Sequence, residues 1–122
     1  MARKEVFPPA FYLEKGAVYP EGPFRSDATP EALAAAGVLN NLIAWNESFG
    51  MHTSHATLAS RLLISPSMFN RYIRGVSYPD FATLAKMEEA TGAILWPSLE
   101  HRYRLTGGKP ARADEWLYQP SK

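Results

Sequence analysis

The pair Ser65-Pro66 constrains this chain more than any other feature. Before it, Leu58, Ala59, Leu62 and Leu63 recur at helical spacing, and after it Phe69, Tyr72 and Ile73 do so again. Ser65 can accept a hydrogen bond from the free N–H groups of a new helix. Pro66 suits that helix's first turn, where its missing N–H costs nothing. The spacing therefore predicts two short helices, about 54–63 and 66–74, meeting at a tight corner, with Gly75 ending the second. This is a helix-turn-helix layout, in which the second helix is free to enter a DNA major groove.

The same residues carry a family resemblance. Ser54-His55-Ala56-Thr57-Leu58-Ala59 resembles the Thr/Ser-Gln-x-x-Leu-Ala opening of the lambda-repressor-like helix-turn-helix domains, the Cro-type or XRE family. Ile64-Ser65 followed by Phe69, Arg71 and Gly75 resembles that family's Val-Ser-x-x-x-Val-x-Arg-x-x-x-Gly run, and Pro79, Leu84, Met87 and Gly92 fit its fourth helix. The likeness covers about residues 39–99. The chain departs from the family at Leu63, where glycine usually relieves a left-handed conformation, and also at His55 and Ile73. The resemblance implies a mainly α fold with a compact five-helix domain; the residues on either side of it are expected to add an extended N-terminal arm and a short C-terminal β-hairpin. It also implies a sequence-specific double-stranded DNA-binding transcription regulator, a repressor of phage or bacterial origin.

Carried over from the family, the base-contacting residues are Ser67, Asn70 and Arg71. Their chemistry suits the role: arginine can fork onto guanine O6 and N7, and asparagine can pair with adenine N6 and N7. Positions i, i+3 and i+4 share one helix face, and Phe69, Tyr72 and Ile73 would bury the other. The plainer alternative is a solvated polar face. One such helix touches half a site, so a homodimer on a near-palindrome is expected, with half-sites about one turn apart.

Charge placement agrees with this reading. The formal net charge is only +1, yet no acidic residue lies between Glu47 and Asp80, a window that holds Arg61, Arg71 and Arg74. A near-neutral chain with one locally basic face is compatible with duplex binding. Phosphate contacts are expected from Ser54 and His55, at the positive end of the second helix's dipole. Arg74, Ser77 and Tyr78 are expected to reach the backbone around the following loop. Such contacts set register and salt dependence, not sequence preference. Arg61 is a further candidate or an ordinary exposed arginine. Arg3 and Lys4 either enter a minor groove or belong to a disordered tail. Arg102 and Arg104 either extend the phosphate contact or pair with Glu100 and Glu115.

With 122 residues, 46% of them apolar and 20% charged, the chain reads as one ordinary globular domain. It has no cysteine, which excludes disulfides and thiolate-ligated zinc. The amino terminus lacks a signal-like apolar run, and no segment reaches membrane-spanning length. A cytoplasmic location is the expectation.

Residues 1–28 hold Pro8, Pro9, Pro20 and Pro23 among Phe7, Phe11, Tyr12, Tyr19 and Phe24. The prolines argue against a helix and the rings against disorder, so an extended arm is expected, with a short strand near Phe11–Leu13. Residues 29–100 form the helix-turn-helix domain. Thr29-Pro30-Glu31 starts its first helix, which runs to Phe49 and stops at Gly50. Gly37 weakens that helix by roughly 1 kcal/mol relative to alanine and could divide it. Asp80 caps a helix running through Thr91, with Gly92 as its stop. Ile94, Leu95, Trp96 and Leu99 are expected in the core around a fifth helix near Pro97–Glu100. Residues 101–122 form a C-terminal extension. In it, the alternation Arg102-Tyr103-Arg104-Leu105 predicts a strand that pairs with Glu115–Gln119. Trp116, Leu117 and Tyr118 are candidates for a dimer surface or for the core.

No cofactor, metal site or enzymatic activity is expected. His52 and His55 lack a third ligand, Ser54-His55 makes no triad without geometry, and no glycine-rich phosphate loop is present. The competing reading is an antitoxin or other protein-interaction module on the same fold, with a toxin or other regulator as partner and DNA binding secondary.

Overall fold

The helix α1 (Pro30–Glu47) is the strut on which the other elements are hung. In the computed structural model, which describes residues 6–48 and 54–107, it starts as its sequence dictates. The Thr29 hydroxyl accepts from the Ala32 amide at 3.2 Å, and Pro30 occupies the first turn. Every residue from Ala32 to Leu39 is buried. A helix covered on all sides needs partners on all sides, and α1 has two sets. Val38, Leu39 and Leu42 join Leu58, Ala59 and Leu62 of α2 (His55–Leu62), Phe69 and Tyr72 of α3 (Pro66–Ile73), Met87 of α4 (Phe81–Thr91) and Leu95. On another side, Ala32, Leu33 and Ala36 join Tyr12, Phe24 and Leu105.

Gly37 does not divide α1; the helix runs through it unbroken. An added Cβ there would stand 2.5 Å from both Cβ and Cγ of Pro97, so the glycine lets the loop after α4 lie directly on α1. That loop is held from both sides. The Asn41 amide donates to the Leu95 carbonyl at 2.8 Å, and the Leu95 and Trp96 amides donate to one Glu88 carboxylate oxygen at 2.8 and 3.2 Å. Leu95 is fully buried as a result, while Ile94, expected in the core, is turned outward and 83% exposed. Trp96 and Leu99 are likewise exposed.

The corner forms where Ser65-Pro66 places it. Ser54 caps α2 by accepting from the Thr57 amide, and Ser65 caps α3 by accepting from the Met68 amide. Between them Leu63 adopts φ 62° and ψ 39°, a left-handed conformation. The departure from glycine is thus met with strain instead of a different corner, and the side chain is left 81% exposed. Asp80 caps α4 through the Thr83 amide at 2.8 Å, and Gly92 ends it at φ 67°.

Residues 6–28 are more ordered than an extended arm. A short 3-10 helix (Pro9–Tyr12) leads into β1 (Leu13–Val18), which pairs antiparallel with β2 (Gly22–Phe24). Partners are Leu13 with Phe24 and Val18 with Gly22. Arg25 fastens this hairpin by donating to the Phe11 carbonyl and to Asp27, both at 3.0 Å. The unit is tied to the body through the Phe24 amide to the Leu105 carbonyl, the Ala10 amide to the Gly75 carbonyl and the Asn40 side chain to the Pro20 carbonyl.

The expected strand at Arg102–Leu105 is corrected to helix. α5 spans Leu99–Arg104, capped by Ser98 through the His101 amide and closed by the pair Glu100–Arg104 at 3.5 Å. Four alternating residues also fit a helical turn, and the cap four residues upstream decides between the two. The proposed partner strand, Glu115–Gln119, lies outside the described residues. Among those residues the architecture is mainly helical, with five α-helices and one two-stranded antiparallel sheet. No helix among them is long and apolar enough to cross a membrane.

Candidate nucleic-acid interface

Two rings set the orientation of α3. Phe69 and Tyr72 are buried at 1% and 5% exposure, with Ile73 packed beside them. Burial of that face turns Ser67, Asn70, Arg71 and Arg74 outward, and all four are exposed. The base-reading residues implied by the family resemblance therefore lie together on one solvent-facing surface. Met68 and Val76, about 40% and 39% exposed, lie near them; their apolar character did not mark them as surface residues in the sequence.

The neighbouring cations are unneutralised. Arg61, Arg71 and Arg74 form no ion pair among the described residues, and the stretch between Glu47 and Asp80 supplies no acid to pair with them. Arg71 has a different partner, donating from Nε to the Ser77 hydroxyl at 2.8 Å. A residue expected at the bases and one expected at the phosphates are thus brought into contact.

The first turn of α2 presents Ser54 and His55, both exposed. The Ser54 hydroxyl already serves the helix, accepting from the Thr57 amide and donating to the Thr57 hydroxyl at 2.9 Å. His55 rests edge-on against Phe69, with ring centroids 6.1 Å apart. Tyr78, expected with the phosphate-facing set, is engaged elsewhere. Its hydroxyl donates to the Phe7 carbonyl at 2.8 Å, its ring packs on the second core cluster, and burial raises its pKa. Arg104 pairs with Glu100, and the Arg102 guanidinium lies 5.7 Å from the Trp96 ring centroid. Arg3, Lys4, Trp116, Leu117 and Tyr118 lie outside the described residues.

A second surface feature had no signal in the sequence. A groove of about 630 Å³ opens between α1, the start of α4 and the N-terminal segment, lined by Phe7, Tyr12, Val38, Phe81 and Trp96 among others. No residue of α2 or α3 contributes to it, and Phe81 is 87% exposed at its edge. Sequence spacing could not reveal it because its walls come from four separate segments. Among the described residues no three His, Asp or Glu side chains gather where they could hold a metal ion. Comparison of the chain with protein-family models, with curated proteins and with solved structures returns no match.

Proposed function

We propose that this chain is a sequence-specific double-stranded DNA-binding regulator that reads the major groove with α3. The observation that carries the reading is the division of α3 into a buried aromatic face and an exposed face bearing Ser67, Asn70 and Arg71. A helix with that division can be pressed into a groove without disturbing the core that holds it. The unneutralised Arg61 and Arg74 supply the attraction to phosphate that positions it. Repression from a homodimer on a near-palindromic operator is the arrangement in which one short recognition helix per subunit gains useful affinity.

Selection of bound duplexes from a random pool, at a stated salt concentration, tests the proposal. Arg71→Ala is expected to lose about 1–3 kcal/mol of discrimination at one base pair, while Arg74→Ala weakens binding to all sequences alike. Unchanged base preference in Arg71→Ala would remove α3 as the reading element.

A second reading, an antitoxin-like protein-interaction module on the same fold, is favoured by the apolar groove beside α1 and its exposed rim residue Phe81. A stable heterocomplex on co-purification, lost in Phe81→Glu and unaffected by Arg71→Ala, distinguishes it from the first.

A further inference from the structure

Arginine carries five N–H donors in a planar fork, and in Arg71 one of them is already in use. Its Nε donates to the Ser77 hydroxyl at 2.8 Å. An arginine can meet the O6 and N7 acceptors of guanine in two ways, with Nε and one Nη or with Nη1 and Nη2 together. The serine occupies the first edge and leaves only the second.

The turn leading into Ser77 is held by the backbone. The Val76 amide donates to the Arg71 carbonyl at 2.9 Å and the Gly75 amide to the Tyr72 carbonyl at 3.1 Å, closing the turn onto the last residues of α3. Gly75, at φ 72°, is pinned in turn by the Ala10 amide and lies under the Tyr19 ring. The serine therefore reaches Arg71 from a short, cross-braced turn.

Resting on the DNA-reading proposal above, we infer that Ser77 is a positioning residue that presents the Nη1–Nη2 edge of Arg71 to a guanine. Its role is in sequence discrimination, beyond the backbone contact expected of it. The two roles are compatible, because a hydroxyl that accepts from Nε still has its own proton to donate to a phosphate oxygen. In the free protein both side chains face water and the bond contributes little to stability. Against a duplex, where water is excluded, the same bond strengthens, and the arginine no longer has to be ordered from many rotamers. That saved freedom corresponds to about three- to tenfold in affinity for the matched site.

The test uses the full chain and the duplex selected by the wild type, with the guanine assigned by Arg71→Ala. Affinities are measured for that duplex, for the same duplex with 7-deazaguanine (which lacks N7) at that position, and for a scrambled one. The wild type is expected to discriminate strongly against the 7-deazaguanine duplex. Ser77→Ala should lose about three- to tenfold of that discrimination with an unchanged melting temperature, and Ser77→Thr, which keeps the hydroxyl, should restore it. Wild-type discrimination in Ser77→Ala overturns the inference, as does an equal loss of affinity for all three duplexes. A pool in which the wild type prefers no sequence at all overturns the DNA-reading proposal and this inference with it.

Discussion

Replacing Gly37 with alanine sets two effects of opposite sign against each other in the middle of α1. Helix propensity favours the change by about 1 kcal/mol. Packing opposes it, because the new methyl would stand 2.5 Å from two ring carbons of Pro97, whereas unstrained carbon atoms sit about 3.5–4.0 Å apart. The overlap cannot be relieved by a rotamer change. Pro97 is buried and its ring has no side-chain torsion to turn, so the loop itself must lift from α1. That movement would pull on the Asn41–Leu95 hydrogen bond and on the fully buried Leu95. Overpacking of a well-filled core costs about 1–3 kcal/mol, and a weakened buried hydrogen bond adds about 1 kcal/mol. Packing wins, and Gly37→Ala should destabilise the fold by a net of about 1–3 kcal/mol. At about 4 °C per kcal/mol for a domain of this size, the melting temperature falls by roughly 4–12 °C in far-UV circular dichroism. Pro97→Gly removes both offending carbons, so the double variant should be more stable than the sum of the single changes. A Gly37→Ala protein that melts at or above the wild-type temperature would show that α1 and Pro97 are not in contact.

Three other perturbations follow from the same structure. Leu63 holds a left-handed conformation with an exposed side chain, so Leu63→Gly loses no packing and relieves about 1 kcal/mol of strain; its urea midpoint should rise. The Tyr19 hydroxyl is buried with no hydrogen-bond partner among the described residues, and burial, then the neighbouring Tyr78, pushes its pKa well above the usual tyrosine value. Tyr19→Phe should gain about 1 kcal/mol at neutral pH. The wild type is fully stabilised below the unfolded tyrosine pKa and loses stability as pH rises above about 10, so the variant's alkaline loss should be shallower. Asp80 is held below the ordinary carboxylate range, first by the Thr83 amide and then by the Thr83 hydroxyl. Its contribution is complete above the unfolded aspartate pKa and disappears as pH falls through the lower folded value. The urea midpoint of Asp80→Asn should therefore vary less than that of the wild type between about pH 5 and pH 2.

What could be read in the sequence was whatever a few adjacent residues decide. Thr29-Pro30, Ser65-Pro66 and Asp80 each start a helix because a cap needs only its own next three residues. The aromatic side of α3 was legible for the same reason, since Phe69 and Tyr72 lie three apart on one short helix. Features that depend on distant partners were not legible. Gly37 read as a weak point because its reason for being glycine, Pro97, is sixty residues away. The bond from the Tyr78 hydroxyl to the Phe7 carbonyl had no local signal either, because its two residues lie 71 positions apart. Arg102–Leu105 read as a strand because period-two alternation over four residues is short enough to fit either element. The outward turn of Ile94 is set by Glu88 and Asn41, which fix Leu95 beside it.

The division of labour within α3 also decides which experiments on the proposed interface are informative. Ser67, Asn70 and Arg71 take no part in either core cluster, and substitutions at exposed positions usually change stability by no more than about 0.5 kcal/mol. A binding defect in Arg71→Ala or Asn70→Ala can thus be assigned to the interface itself. Phe69 cannot be used in that way. It is 1% exposed and packs with Leu58, Leu62 and Met87, so Phe69→Ala removes about 3–5 kcal/mol, a large share of the roughly 5–15 kcal/mol that holds a domain together. Loss of binding in that variant would report an unfolded α3 and could not be assigned to the proposed interface.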